Sequence, residues 1–429
     1  MTSNLRRMWW SAPVSDAVDA VVPLPGSKSL TNRALVLAAI SDGSSVVHRP
    51  LRSRDTELMA AALQSLGAAI DTTGSDWQVT PIGVSPTEVT IDCGLAGTVM
   101  RFVPAVAAAV PTLARFDGDE HARSRPMTSM ITALRGLGTK IDDGGRGALP
   151  FTVHGDAHLA GGTVQIDASA SSQFVSALLL AAPRYARGIE VEHVGSPIPS
   201  QPHLDMTVAC LREHGVVVED SHPNRWRVEP GTVRAIDVEI EPDLSNAAPF
   251  LMLAMTTGGR VSIPHWPLST TQPGDALRDL LTRMGAEISV DADGLTIRGT
   301  GQIHGIEVDL HDLGELTPAL AALCALADSP SHLYGIAHIR GHETDRLAAL
   351  ATELERLGSK VEETHDGLRI QPSSLHGGQF HTYADHRMAH AAVIIGSVVA
   401  GVEVENIETT AKTFPGFADA WTAAVGRSR

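Results

Sequence analysis

Five segments of one pattern, LQSLGAAID, LRGLGTKID, LREHGVVVE, LTRMGAEIS and LERLGSKVE, recur along this 429-residue chain, and any fold must give all of them equivalent surroundings. Their glycines, Gly67, Gly138, Gly215, Gly285 and Gly358, are separated by 71, 77, 70 and 73 residues. The chain is therefore built from a repeated supersecondary unit. Each copy reads as the end of an amphipathic helix, a glycine stop, then a strand of alternating Ile/Val character. A second strand follows, as WQVTP, LPFTVHG, WRVEP, LTIRG or LRIQP. Upstream, six polar or small-residue loops each run into a strongly apolar helical stretch: PGSKSLTNRALVLAA, DCGLAGTVMRFVPAV, DASASSQFVSALLLA, PDLSNAAPFLMLAMT, HDLGELTPALAALCA and YADHRMAHAAVIIGS.

Six openings and five glycine stops leave the last unit short of its terminal strands, and the strand-like DAVDAVVPLP near the N-terminus, which has no unit of its own, can supply one of them. Chain closure of that kind predicts two lobes of three units. One spans residues 26–240; the other joins residues 1–25 to 241–429, with a hinge near EIEPD. The expected class is α/β (α+β), and if the two lobes face one another the polar openings of both can converge on one cleft.

The formal net charge of −16 argues against nucleic acid and acidic membrane surfaces as partners. MTSNLRRMWWSAPV lacks the sustained apolar core of a signal peptide, and stretches such as FVPAVAAAVPTLA are shorter than the roughly 20 residues that span a bilayer. Cys93, Cys210 and Cys324 are too scattered for a disulfide framework or a zinc site, so a reducing, cytoplasmic setting is expected. Despite 19 histidines there is no HExxH or Cys/His cluster, so neither metal nor cofactor is expected.

The first opening, PLPGSKSLTNRALVLAAI, carries Lys28 and Arg33 in a Gly/Ser-rich helix start, where backbone N–H groups favour an anion. Its spacing is wrong for a Walker A loop. A second series of helix starts, SRDTELM, SRPMTSM, SQPHLDM, TQPGDAL, GHETDRL and AKTFPGF, lies midway through the units. Any one such start is ordinary capping, but Lys28, Arg33 and Arg387 fall at starts of the first series and Arg125, Arg346 and Lys412 at starts of the second. A local cationic site in an acidic chain follows.

PGSKSLTNR, LAGTVMR, RSRPM, ASSQFVSALLL, HETDRL, DHRMAH and AKTFP, spread from residue 25 to residue 415, resemble the 5-enolpyruvylshikimate-3-phosphate synthase family of enolpyruvyl transferases. The resemblance implies the two-lobed enolpyruvyl transferase fold, each lobe three βαβαββ-type repeats around buried helices, with the active site in the cleft between the lobes. It also implies transfer of the enolpyruvyl group of phosphoenolpyruvate to the 5-hydroxyl of shikimate 3-phosphate, with release of phosphate, in aromatic amino-acid biosynthesis. By the same resemblance Lys28, Ser29, Arg33, Ser171, Ser172, Gln173, Ser200, Glu315 and His342 bind shikimate 3-phosphate. Lys28, Gly97, Arg125, Gln173, Arg346, Arg387 and Lys412 bind phosphoenolpyruvate. Arginine suits such ligands because its planar fork grips a carboxylate with two parallel bonds. A glycine at position 97 lets the backbone approach a ligand closely. Addition and elimination each move a proton, so two acid/base groups are needed. Glu315 is expected as base and Glu343 as proton donor to carbon, with Lys28 or Lys412 sharing the transfer. The family's herbicide glyphosate is expected to compete with phosphoenolpyruvate, and a monomer is expected because internal cores account for the apolar repeats.

The chain departs from the family pattern at four positions. Relatives have aspartate where Glu315 stands, tyrosine at His203, asparagine at His338 and lysine at His342. An imidazole at 342 is expected to make activity depend on pH between about 6 and 8. Arg101 and Asp345 read as scaffolding beside the motifs, Arg52 and Arg54 as helix-start charges, and His48, His154 and His381 as ordinary surface or core residues. Two rivals remain: a non-catalytic anion-binding paralogue, and the UDP-N-acetylglucosamine enolpyruvyl transferase, whose relatives carry Lys-Asn in the first loop and a cysteine in the mobile loop. This chain has Lys28-Ser29, and DGDEHARSRPM contains no cysteine.

Overall fold

The computed structural model describes residues 8–426. The chain falls into two compact units, one of residues 26–241 and the other of the segments up to Pro25 and from Pro242 onward. Each unit has its own apolar core.

The second repeat shows the plan. Strand Glu88–Asp92, helix Gly97–Ala108, strand Leu113–Asp117, helix Thr128–Gly136 and strands Lys140–Asp142 and Phe151–His154 follow in order. The first two strands pair in parallel, which requires a crossover, and the helix supplies it. The last strand runs antiparallel to both Leu113–Asp117 and Lys140–Asp142, so Phe116 faces Phe151 with ring centroids 5.2 Å apart. Four of the other sheets repeat this four-stranded order and the last has three strands; three sheets lie in each unit.

The five repeat glycines close the second helix of their units in one way. Gly67, Gly138, Gly215, Gly285 and Gly358 have φ between 79° and 106°, a region that penalises a Cβ. The N–H of each reaches back to the carbonyl three residues earlier, and the next N–H to the carbonyl five residues earlier, as from Ala68 to Leu63 at 3.1 Å. These are Schellman caps, and they turn the chain from helix into strand.

Closure of the repeats differs from the sequence expectation. Asp19–Val21, within DAVDAVVPLP, pairs in parallel with Arg260–Pro264 and so completes the fourth unit, not the last. The last sheet is completed by Trp9–Ser11, antiparallel to Val402–Glu405. Val238–Glu239 does the corresponding service for the first unit, beside Ser45–His48.

The first helix of each repeat is apolar on nearly every face and lies inside its unit. Gln173–Ala181 is buried from Phe174 to Ala181, as an all-round hydrophobic helix must be. Such helices leave only their polar N-terminal ends for chemistry, and the loops before them carry the charged motifs.

Candidate active site

In the unit of residues 26–241, four helix starts are tied together by side chains. Ser27 caps Lys28–Ala39 by accepting from the Leu30 N–H. Lys28, at the first helical position, lies 3.4 Å from Asp55. Arg33, one turn on, is fully buried. It donates to the Ser29 carbonyl at 3.0 Å, the Thr207 hydroxyl at 2.8 Å, the His203 carbonyl at 2.9 Å and the Ser176 hydroxyl at 3.5 Å. It thereby links Lys28–Ala39 to Gln173–Ala181 and Gln201–Glu213, and Asn32 donates to Thr98 at 2.8 Å to add Gly97–Ala108. Four positive helix ends therefore adjoin, a setting suited to anions. Ser171 and Ser172 immediately precede Gln173, and the Ser171 hydroxyl accepts from the Gln173 N–H at 3.3 Å. Ser200 is the left-handed cap residue of Gln201–Glu213, with φ 60°.

Gly97, Arg125 and Gln173 come together around a residue that sequence reasoning had left as scaffolding. Arg101 donates to the Gln173 amide oxygen at 2.6 Å, with its guanidinium 5.2 Å over the Phe174 ring. A Cβ at Gly97 would lie 2.9 Å from Arg101 Nη1 and 3.2 Å from both terminal nitrogens of Arg125. Two guanidinium groups thus press on one glycine. Burial, with help from the Arg125 charge, lowers Arg101 to about 9, and burial lowers Arg33 to about 10. The signal for Arg101 was its place one turn into the LAGTVMR helix, on the face of Gly97.

In the other unit Arg346 and Lys412 are matched by carboxylates. Arg346 opens helix Arg346–Arg356, and Asp385 grips it with both oxygens, at 2.7 and 3.0 Å. Burial works against the Arg346 charge, but Asp385 outweighs it and its pKa rises. Asp385 also caps helix His386–Gly396, accepting from the Arg387 N–H at 2.8 Å. Arg387 donates to the Ser245 carbonyl at 2.9 Å, and the Ser245 hydroxyl donates to Glu315 at 2.5 Å. Arg387 and Glu315 are therefore joined through one serine. Glu343 lies between Lys412, at 2.5 Å, and His386 Nδ1, at 2.9 Å. Burial opposes its charge, yet His386, Lys412 and Arg346 together hold it well below the usual carboxylate range. Ser245, Asp385 and His386 were not singled out by sequence. Only the cap position of Asp385 before the helix pattern could have marked it.

Arg346 Nη1 lies 3.0 Å from His342 Nδ1. A guanidinium has no acceptor, so Nδ1 must present its lone pair and the ring proton sits on Nε2. A doubly protonated ring would lose this bond. His338 packs against Gly314, next to Glu315, and burial, followed by His311, lowers it to about 4. Glu343, Asp385 and His386 offer ligand atoms within 4.8 Å of one another, but a metal ion there would have to displace Arg346 and Lys412 from their carboxylates.

Paired units of three βαβαββ repeats, with cationic helix starts in each, define the enolpyruvyl transferase fold, and solved structures of that class superpose on nearly the whole chain. An EPSP synthase from Acinetobacter baumannii matches with TM-score 0.83 at 24% identity, covering 97% of this chain and 98% of that one. The enolpyruvyl transferase NikO from Streptomyces tendae matches with TM-score 0.72 at 17% identity, covering 97% of both chains. The chain belongs to the EPSP synthase (3-phosphoshikimate 1-carboxyvinyltransferase) family, whose family model matches residues 14–421. A 3-phosphoshikimate 1-carboxyvinyltransferase from Kocuria rhizophila is 53% identical over 429 residues, covering 97% of this chain and 96% of that protein.

Proposed function

We propose that this chain transfers the enolpyruvyl group of phosphoenolpyruvate to the 5-hydroxyl of shikimate 3-phosphate, and that the constellations of both units serve that one reaction. Lys28, Ser29 and Arg33 take the shikimate ring and its carboxylate, Arg33 exchanging internal carbonyl bonds for the ligand. Ser171, Ser172, Ser200 and His342 take its phosphate, and Gln173 lies beside both substrates. Gly97, Arg125, Arg346, Arg387, Lys28 and Lys412 take phosphoenolpyruvate.

The observation that carries the chemistry is the Lys412–Glu343 contact of 2.5 Å, closed behind by His386. An ionised Glu343 has no proton to give, so the role first expected of it passes to Lys412, with Glu343 as its counter-charge. In the addition, Glu315 takes the proton of the 5-hydroxyl. The oxygen then bonds to C2 of phosphoenolpyruvate, and the methylene carbon receives a proton from Lys412, giving a tetrahedral intermediate with a methyl group. In the elimination, the methyl group returns a proton to Lys412, the C2–O bond to phosphate breaks, the enol double bond re-forms, and the proton held by Glu315 leaves with the phosphate. Side-chain cations stabilise the phosphate as it leaves.

Among the described residues no helix is long and apolar enough to cross a membrane. The working setting is a cytoplasmic monomer with small-molecule partners, as the net charge of −16 supports. The test is phosphate release from the purified protein, with each substrate omitted in turn and UDP-N-acetylglucosamine as alternative acceptor. Release that requires shikimate 3-phosphate is expected. A folded protein that binds phosphoenolpyruvate but releases nothing with either acceptor would instead be an anion-binding paralogue.

A further inference from the structure

Arg346 owes its aim to Asp385, and Asp385 is delivered by an unfavourable piece of backbone. Tyr383 and Ala384, immediately before it, have left-handed φ values of 55° and 58°. Residues with a Cβ resist that region, and two in succession persist only where their surroundings over-determine them. Here the surroundings are two carboxylates. Glu353, wholly buried, accepts from the Tyr383 hydroxyl at 2.8 Å through one oxygen and from the His381 N–H at 2.9 Å through the other. Glu405 accepts from the Thr382 N–H at 3.1 Å. The Asp385 N–H then turns back to the Thr382 carbonyl at 2.8 Å, which leaves the Asp385 carboxylate on Arg346.

The connection forms a ring. Glu353 stands seven residues after Arg346 on helix Arg346–Arg356, two turns along the same face. The helix that presents Arg346 therefore also holds the loop that brings its partner. We propose that Glu353 and Tyr383 are positioning residues for the reaction: they clamp the left-handed Tyr383–Ala384 pair and thereby fix Asp385 and the direction in which Arg346 meets its ligand. Burial, and then the Glu353 bond, push the Tyr383 hydroxyl up to about 12, so it remains a donor at neutral pH. A fold anchor alone would not need the strained pair, since glycines at the two positions would remove the conflict. The inference rests on the assignment of Arg346 to phosphoenolpyruvate.

The experiment compares Tyr383→Phe, which keeps the ring and removes only the donor, with Tyr383→Phe/Ala384→Gly and with Arg346→Lys. KM for each substrate, kcat and Tm are measured. Tyr383→Phe is expected to raise KM for phosphoenolpyruvate roughly five- to tenfold, the worth of one hydrogen bond to a charged group, with KM for shikimate 3-phosphate within about twofold. Adding Ala384→Gly, which makes the left-handed turn easy, is expected to bring KM back toward the wild-type value. A lower Tm without the KM split, or a split that the glycine does not relieve, would show an anchor of the fold only and overturn the inference. Arg346→Lys separates the two levels. If it raises KM for phosphoenolpyruvate and Tyr383→Phe does not, the clamp alone is wrong; if Arg346→Lys leaves that KM unchanged, the assignment fails and the clamp's catalytic role falls with it.

Discussion

Arg33 and Arg101, in the unit of residues 26–241, and Arg346, in the other unit, are all buried, yet they are satisfied in opposite ways. The hydrogen bonds of Arg33 and Arg101 end on carbonyl, hydroxyl and amide oxygens. Burial consequently lowers their pKa values, to about 10 and about 9. Arg346 is held by both oxygens of Asp385, and its pKa rises. A buried cation with only neutral partners is costly until an anion arrives, whereas a matched pair is complete without one. On the proposed function, Arg33 and Arg101 thus store affinity for polyanions, whereas Arg346 keeps its charge and its aim through Asp385.

The largest test of this contrast removes the proton carrier. Lys412→Met should lower kcat by about 10²- to 10⁴-fold, the range for a general acid/base group, as read from single-turnover phosphate release. Glu343 would then be buried with less to offset it. Asp385→Asn makes Arg346 resemble Arg33 by taking away its counter-charge. Breaking a buried pair in this way should destabilise the unit by about 3–5 kcal/mol, seen in calorimetry as a lower Tm for that transition. If Asp385→Asn cost no stability, the contrast between units would be wrong.

The Glu343 pair adds a pH signature. A carboxylate whose folded pKa lies below its ordinary 4.5 contributes stability that is present above pH 4.5 and is lost as pH falls through the folded value. The Tm difference between wild type and Glu343→Gln should therefore close progressively as pH falls below 4.5. A gap that widened on acidification would mean that burial, not Lys412 and His386, governs this residue.

Much of the contrast was legible in sequence, though unevenly. The repeat glycines announced their caps because a left-handed residue after a helix favours glycine chemically, and the cationic helix starts stood out against an acidic chain. Asp385 on Arg346 was not legible, since the two are 39 residues apart and meet only when two repeats pack. Arg101 escaped for a related reason, because its partner Gln173 begins a different helix, 72 residues on. Trp9–Ser11 and Asp19–Val21 are both three-residue strands, too short for alternation to tell which sheet each joins, and the closing of the last sheet was misplaced onto Asp19–Val21. The expected pH response of His342 had no way to include Arg346, whose N–H fixes the tautomer.

Gly97→Ala sharpens the comparison from the ligand side. The new Cβ would meet the guanidinium ends of Arg101 and Arg125, at 2.9 and 3.2 Å; both are flexible, but Arg125 is a proposed ligand of phosphoenolpyruvate. They must give way by a few tenths of an ångström. KM for phosphoenolpyruvate should rise about tenfold, a factor worth about 1.4 kcal/mol, with little change in Tm. Glyphosate, as an anion expected at the same place, should lose affinity as well, and its inhibition of the wild type should weaken as phosphoenolpyruvate is raised.

The smallest effect is the one with the more informative sign. Arg101→Met keeps much of the side-chain length beside Phe174 and removes a buried charge whose hydrogen bond, to Gln173, is neutral. Replacing buried ionic groups with packed apolar ones is often neutral or stabilising, so the ligand-free variant should be within about 1 kcal/mol of wild type, or above it. The gain in Tm on adding phosphoenolpyruvate with shikimate 3-phosphate should shrink, because the ligand no longer relieves an uncompensated cation. Asp385→Asn and Arg101→Met then move ligand-free stability differently, one strongly down and one level or up. If Arg101→Met fell as far as Asp385→Asn, Arg101 would be a structural tie between Gly97–Ala108 and Gln173–Ala181, and the stored affinity would have to reside in Arg33 and Arg125.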